Sequence, residues 1–292
     1  MSDASLVHQR LTLMWDWLIA PLQYEFMVKA LLVSGFVGVV CGVLSCYMTL
    51  KGWALMGDAV AHAVTPGVVL AYVFHVPLAV GAFVFGVGAV WLMGWIQKQT
   101  RLKEDVVIGL VFTGLFALGL VLISKTPSNV DFLHILFGNV LGIPTAAMVQ
   151  TLVIGTVTLA VLLLFKNDLL LLCFDPTHAR SLGINTTGLH YLLLTLLSLT
   201  IVVALQTVGV VLVVAMLITP GATAYLLTDR FDRMLLLAVG SGLVASGLGV
   251  YVSYYWDAAT GGCIVLVQTL LFLLAMIWAP KHGLFRRVGR SG

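Results

Sequence analysis

The sequence has few charged residues. Of its 292 residues, only 9% are Asp, Glu, Lys or Arg, whereas 61% are hydrophobic, and the mean hydropathy is +1.09. Soluble globular domains carry about 25% charged residues. The composition therefore excludes an ordinary soluble domain. It predicts an all-α, polytopic membrane protein, because a helix satisfies its own backbone polar groups inside a bilayer.

The sequence also lacks the motifs of ATP-binding and hydrolytic enzymes. It has no G-x-x-x-x-G-K-[ST] phosphate-binding loop, so any ATP that drives its activity must be bound by another chain. It has no His-Glu-x-x-His motif and no Ser-His-Asp pattern, which gives an intramembrane hydrolase little support. We therefore predict that the chain is not itself an enzyme and that it holds no permanently bound cofactor.

Cysteine is scarce as well. The four cysteines show no C-x-x-C spacing, and most of them fall in or next to apolar segments, where packing is the simplest account of them. They therefore indicate neither a disulfide framework nor a metal cluster.

Long apolar runs fill most of the chain. Segment 1–25 contains an aromatic stretch too short to cross a bilayer, and we interpret it as a helix lying in the membrane interface. Residues 131–141 are also too short to cross and are predicted to be re-entrant or peripheral. A membrane domain is predicted over 26–280, followed by a basic tail at 281–292. The predicted spans are 27–49, 53–74, 77–97, 106–124, 146–165, 188–206, 209–227, 233–255 and 261–279.

The distribution of basic residues predicts the orientation. If the N-terminus lies outside, twelve of the fifteen Lys and Arg residues fall on the inner side, and only Arg10, Lys29 and Lys125 fall outside. Basic residues accumulate in cytoplasmic connections. We therefore expect the N-terminus outside and the C-terminus inside.

Asp58 and His62 stand out because they lie within an apolar span. The other acidic residues lie in terminal segments, in loops or near span ends, and only His62 among the histidines lies clearly mid-span. A carboxylate near the bilayer centre costs roughly 3 kcal/mol. The two residues are one helical turn apart on one face, and their oxygen and nitrogen atoms suit a divalent metal. The alternative is that the pair only holds helices together.

Thr-Pro-Gly occurs twice, each time in an apolar span. Pro66 and Gly67 follow the Asp58–His62 pair, and Pro220 and Gly221 repeat the motif in a span predicted to run the opposite way. Both sites are predicted helix breaks, as in the inverted repeats of transporters. Chance recurrence is the alternative, because Pro and Gly are common in membrane helices.

One connection predicted to lie inside contains a short helix. Asp175 is suited to cap it, Pro176 to begin it and Gly183 to end it. A helix joined so closely to two spans could transmit force from a soluble partner, whereas the alternative is a hydrated loop.

Four stretches taken together point to a known family. They are LKGWALMGDAVAHAVTPGVVLAY at 50–72, FDPTHARSLGI at 174–184, VGVVLVVAMLITPGATAYLL at 208–227 and YYWDAATGGCIVLVQTLLFLLA at 254–275. Over nearly the whole chain after about residue 22, the sequence resembles the membrane permease of ABC-type importers for manganese, iron and zinc. One departure is Thr65, where members of the family more often have an aliphatic residue before the proline.

The resemblance implies a fold, partners and residue roles. The fold would be a type II ABC importer permease-like bundle, forming a homodimer in the inner membrane of a bacterium. Two cytoplasmic ATP-binding subunits and an extracytoplasmic metal-binding protein would be its partners, with no role for nucleic acid. Asp58 and His62 would line the pathway and bind metal, and the helix at 175–184, with Arg180, would dock on the ATPase.

We therefore predict the permease of an ATP-driven importer of a divalent transition metal. Oxygen and nitrogen ligands without cysteine favour manganese or iron and also admit zinc. The alternatives are an ion-coupled secondary metal transporter, an ABC permease for a chelate such as a siderophore or cobalamin, and a non-transporting scaffold.

Overall fold

The computed structural model describes residues 20–126 and 142–279, and these residues form α-helices and one 3₁₀ turn, without a strand. The predicted all-α fold is therefore confirmed. The predicted features at 131–141 and 281–292, and most of segment 1–25, lie outside the described residues. After the 3₁₀ turn at Ala20–Gln23, the helices are α1 (Glu25–Lys51), α2 (Met56–Ala63), α3 (Thr65–Val73), α4 (Leu78–Gln99), α5 (Glu104–Lys125), α6 (Thr145–Leu164), α7 (Lys166–Phe174), α8 (Pro176–Ser181), α9 (Thr186–Val208), α10 (Val210–Leu227), α11 (Phe231–Trp256) and α12 (Thr260–Trp278).

The described part of the chain contains nine segments that are long and apolar enough to cross a membrane. Helices α2 and α3 together make one of them, Met56–Val73, and α7 and α8 belong to none. The nine predicted spans are thus confirmed, with ends that differ by a few residues. Their boundaries follow from the sequence because each apolar run is bounded by charged or turn-forming residues.

Helix α1 is the centre of the bundle and packs against α6, α10 and α11. Its contact with α11 is close because small residues face each other. A side chain at Gly38 would place its Cβ 3.2 Å from the Gly242 carbonyl oxygen, and the Ser246 hydroxyl donates to the Ser34 carbonyl at 3.1 Å. Small residues let membrane helices approach until their backbones touch, which strengthens packing and hydrogen bonding.

The two Thr-Pro-Gly sites differ in structure. At the first, the helix is interrupted at Val64, so α2 ends before Thr65 and α3 begins there, with Pro66 in its first turn. Proline cannot donate a backbone hydrogen bond, and its ring disfavours a continuous helix.

The second predicted break is corrected by the structure, because α10 continues through Pro220 and Gly221. Ser45 of α1 explains this continuity. The Gly221 amide donates to the Ser45 hydroxyl oxygen at 2.7 Å, and the Ser45 hydroxyl donates to the Ile218 carbonyl oxygen at 3.2 Å. A neighbouring helix thus satisfies backbone groups on both sides of the proline, as membrane proteins allow.

A single residue, Gly209, separates α9 from α10. Its backbone has φ 82° and ψ 166°, a region that essentially only glycine occupies. Glycine at this position therefore permits two long apolar helices to be joined without a polar loop. This is where the sequence predicts a turn within the run from Tyr191 to Leu227, which is too long for one span.

Candidate metal pathway

Asp58 and His62 lie on the same face of α2, as their spacing predicts. The His62 Nε2 atom is 3.4 Å from the Asp58 Oδ1 atom, and the two side chains remain 30% and 42% exposed, respectively. Both side chains therefore remain partly accessible, and their ligand atoms lie close enough together to act on one ligand.

The pair opens into a cavity of about 430 Å³ between α2, α3, α5 and α10. Asp58 and His62 are its only ionisable lining residues, and Thr65 is the only other polar one within the described part of the chain. The remaining lining residues are apolar: Phe116, Leu120, Ile123, Val210, Val211, Val214 and Ala215. A cavity of this size is typical of small-ligand sites, in which a few polar groups set specificity.

Two aromatic rings of α5 surround the His62 imidazole. The centroids of Phe112 and Phe116 lie 5.6 and 5.3 Å from that of His62, and Phe116 meets it edge-on. The His62 Nδ1 atom is buried and has no hydrogen-bond partner among the described residues, and the same holds for the Thr65 hydroxyl oxygen. Buried polar atoms are usually satisfied, so these two atoms are available to a ligand or to water in the cavity, although Thr158, Ser198 and Gln268 away from the cavity also carry unpaired polar atoms.

The spacing of the pair fits one divalent ion. Carboxylate oxygen and imidazole nitrogen bind a first-row metal at about 2.0–2.2 Å. Two such ligands 3.4 Å apart would subtend an angle of roughly 110° at the ion, which is close to tetrahedral. No group of three or more His, Cys, Asp or Glu residues lies together in the described parts of the chain. This site therefore offers two ionisable ligands per chain.

The cysteines do not extend this ligand set. Cys41, Cys46 and Cys263 are buried within spans, and none of the four cysteines lines the cavity. Burial raises the pKa of the Cys173 thiol on α7 to about 11, so this thiol stays protonated at neutral pH and offers no thiolate.

The predicted short helix is α8, and its ends are well defined. The Asp175 carboxylate accepts from the amides of Thr177 and His178 at 2.9 Å each, and Pro176 occupies the first turn. At the other end, Gly183 has φ 80°, its amide donates to the Arg180 carbonyl, and the Ile184 amide donates to the Ala179 carbonyl. This pattern is the Schellman motif, which requires a left-handed residue and so favours glycine.

Side-chain contacts tie α7 and α8 to the spans. The Arg180 Nε atom donates to the Thr186 hydroxyl oxygen at 3.0 Å, which joins α8 to the start of α9. Lys166 at the start of α7 pairs with Asp232 in the first turn of α11. These contacts connect α8 to α9 and α7 to α11.

The structure brings some predicted residues together and keeps others apart. Asp58, His62 and Thr65 share the cavity, whereas Pro220 and Gly221 do not line it, although they lie on a helix that does. Phe112 and Phe116 were not predicted from the sequence. Their four-residue spacing on α5 is a weak signal, and nothing in the sequence indicated which helix they would face.

Comparison with known proteins now decides the family. The sequence profile of the ABC 3 transport family matches residues 23–279. The chain belongs to the ABC 3 transport family. The chain is similar to the manganese transport system membrane protein MntB of Synechocystis sp., which is 59% identical over 95% of this chain and 90% of its own length.

One further sequence and one solved structure are similar to this chain over nearly its whole length. The chelated iron transport system membrane protein YfeC of Yersinia pestis is 50% identical over 93% of this chain and 92% of its own. The structure of PsaBC from Streptococcus pneumoniae in complex with Fab matches with a TM-score of 0.83 at 36% identity, covering 96% of this chain and 100% of the other. This ABC 3 family member is therefore a multi-pass membrane protein of a transport system.

Proposed function

We propose that the protein is the permease of an ATP-driven importer that carries a divalent transition metal ion, manganese or iron. The observation that carries this proposal is the Asp58–His62 pair, 3.4 Å apart in an otherwise apolar cavity. The names of MntB and YfeC, which refer to manganese and chelated iron transport, support the same substrate class. Zinc fits these ligands equally well, so selection among metals rests on a partner that delivers the ion.

Two ligands per chain suit a transport site. Binding must be strong enough to admit the ion and weak enough to release it. Asp58 and His62 alone would leave several coordination positions to water or to a second copy of the chain. A homodimer that places the two pairs near one pathway would complete the site, and the proposal therefore includes a second copy.

The proposal assigns coupling to α8. Neither the ATP-binding loop nor any hydrolytic motif is present in this sequence, so two cytoplasmic ATPase subunits would supply the energy. Helix α8 lies outside the nine spans, is capped at both ends and is tied to α9. It is the rigid element on which an ATPase could push. Closure of the ATPases would shift the permease between outward and inward access.

The proposal also includes the orientation of the protein in the membrane and a partner outside the cytoplasm. The bias of Lys and Arg supports a cytoplasmic position for α8 and the C-terminus, and the proposed membrane is the inner membrane of a bacterium. Import then requires an extracytoplasmic metal-binding protein at the other end of the bundle.

The decisive experiment compares metal uptake by two variants, each with one Asp→Asn substitution. Asp58→Asn keeps the shape of the side chain and removes the anionic ligand, so uptake of radiolabelled manganese by vesicles containing the permease and its ATPase should fall at least tenfold. Asp257→Asn is the matched control, because Asp257 is exposed, lies away from the cavity and has a left-handed backbone that Asn tolerates. Wild-type uptake in Asp58→Asn would refute the metal site.

The same vesicles separate the alternatives. A secondary transporter would accumulate metal without ATP, whereas the proposed importer requires it. A chelate permease would be inhibited by excess metal-loaded chelate and would be unaffected by competing bare ions. Inhibition of manganese uptake by free iron or zinc ions is the result that the Asp58–His62 site predicts.

A further inference from the structure

A second cavity lies beside α8 and is separate from the cavity at Asp58 and His62. It has a volume of about 210 Å³ and is enclosed by the ends of α1 and α4, by α7 and α8, and by the start of α9. Its lining is basic and polar, in contrast to the metal cavity, and includes Lys51, Lys98, Arg180, Thr186, Thr187 and His190. No acidic residue lines it.

The three cations of this basic pocket have no acidic partner among the described residues. The ion pairs among the described residues involve Lys29, His62 and Lys166, and none of these residues lines the pocket. Lys98 donates to the Tyr191 hydroxyl at 3.3 Å, Arg180 donates to Thr186, and Lys51 lies 5.9 Å from the Trp53 ring centroid. Three positive charges around one cavity repel one another, so an anion inside the pocket would be stabilised by all of them.

The geometry favours an anion with several acceptor oxygens. The pocket offers ammonium and guanidinium donors together with the hydroxyls of Thr186 and Thr187 at the beginning of α9. The N-terminal end of a long helix carries partial positive charge and attracts phosphate. The volume is roughly seven times the ~30 Å³ that one water molecule occupies in the liquid, which is enough for a phosphate group.

The surroundings identify the source of that phosphate. Trp91 and Trp95 on α4 are 54% and 57% exposed, next to the Lys98 end of the helix. The Trp91 ring lies 5.5 Å from the Tyr191 ring, whose face is 4.7 Å from the Lys98 ammonium group. Exposed tryptophans mark the level of the lipid headgroups, and basic pockets between membrane helices on the cytoplasmic side bind anionic headgroups.

We propose that the basic pocket formed by Lys51, Lys98, Arg180, Thr186, Thr187 and His190 binds the headgroup phosphate of an anionic phospholipid. The bound lipid would neutralise the charge behind α8 and hold α8 against α1, α4 and α9. This inference does not rest on metal transport, because it is tested by lipid binding alone.

The test measures retention of phosphatidylglycerol by the full-length protein in native mass spectrometry, with phosphatidylcholine as the reference lipid. Each basic side chain near a charged headgroup contributes about fivefold to binding, so Lys51→Gln with Lys98→Gln should weaken phosphatidylglycerol binding about 25-fold. Lys51→Arg with Lys98→Arg keeps the charge and should retain binding. Lys103→Gln removes a charge at the same end of the bundle outside the pocket and should change binding less than twofold.

Three results would overturn the proposal. Equal phosphatidylglycerol binding by the wild type and the double Gln variant would show that the pocket is not the lipid site. Displacement of the lipid by millimolar inorganic phosphate would assign the pocket to free phosphate. Unchanged lipid binding accompanied by loss of the ATPase subunit would show that the cations receive an acidic side chain of that partner. The far-ultraviolet circular dichroism of each variant checks that it is folded.

Discussion

At the scale of single residues, several glycines allow neighbouring helices to approach closely. The backbones of α3 and α4 touch at Gly67 and Gly81, where a Cβ on Gly81 would lie 2.1 Å from the Gly67 carbonyl oxygen. No rotamer relieves a clash with backbone, so the helices would have to separate. This contact lies one residue after Pro66 and two after Thr65, so it holds α4 against the part of α3 that borders the cavity.

Gly81→Ala should therefore destabilise the protein by about 1–3 kcal/mol, which is the usual cost of forcing extra volume into a packed contact. Gly88→Ala on the same helix is the matched control, because a Cβ there meets nothing within 4 Å. Thermal unfolding in detergent, followed by loss of monodisperse protein, compares the two. Equal midpoints for both variants would contradict the close approach of α3 and α4.

Some contacts of the candidate site could be predicted from the sequence, and others could not. Asp58 and His62 could be predicted as a pair because helical periodicity places residues four apart on one face. Phe112 and Phe116, which pack against His62, come from another helix, and no local rule specifies that contact. The helix break predicted at Pro220 was wrong for the same reason, because α10 continues there with hydrogen bonds from Ser45, which is 173 residues away from Ile218.

At the scale of elements, α8 shows how a short helix is made rigid. A helix of six residues is too short to be stable alone, since nucleation costs more than a few hydrogen bonds return. Its end groups are satisfied by Asp175 at the start and by the Schellman motif at Gly183. These local interactions depend on neighbouring residues only, which is why the sequence analysis could predict both ends.

Asp175→Ala should fray α8 at a cost of about 0.5–2 kcal/mol, because the Thr177 and His178 amides lose their acceptor. If α8 receives force from the ATPase, the variant should hydrolyse ATP with less metal transported per ATP. Asp175→Asn is the control, because Asn caps helices as well as Asp does. The measurement is the ratio of metal transported to phosphate released. An unchanged ratio in Asp175→Ala would show that coupling does not depend on the cap.

At the scale of the whole molecule, two cavities of opposite character lie in one bundle. The cavity at Asp58 and His62 is lined by apolar residues apart from one carboxylate, one imidazole and the Thr65 hydroxyl, and the basic pocket is lined by cations without a carboxylate. Helix α9 begins at the basic pocket and ends at Gly209, next to the α10 residues that line the metal cavity. The proposed coupling would therefore run from α8 along α9 to the α10 valines that line the same cavity as Asp58 and His62.

A mixed dimer can test how many copies of the chain hold one metal ion. A single chain offers only the Asp58–His62 pair, and its described residues hold no larger cluster of ligands. If two chains share one ion, a dimer with one Asp58→Asn copy should lose nearly all transport, because the remaining carboxylate cannot hold the ion alone. If each chain carries its own ion, such a dimer should keep about half. Co-expression of two differently tagged copies, followed by sequential purification, yields the mixed dimer for the uptake measurement. Half-maximal uptake in the mixed dimer would exclude the shared site and leave each chain with a two-ligand pathway of its own.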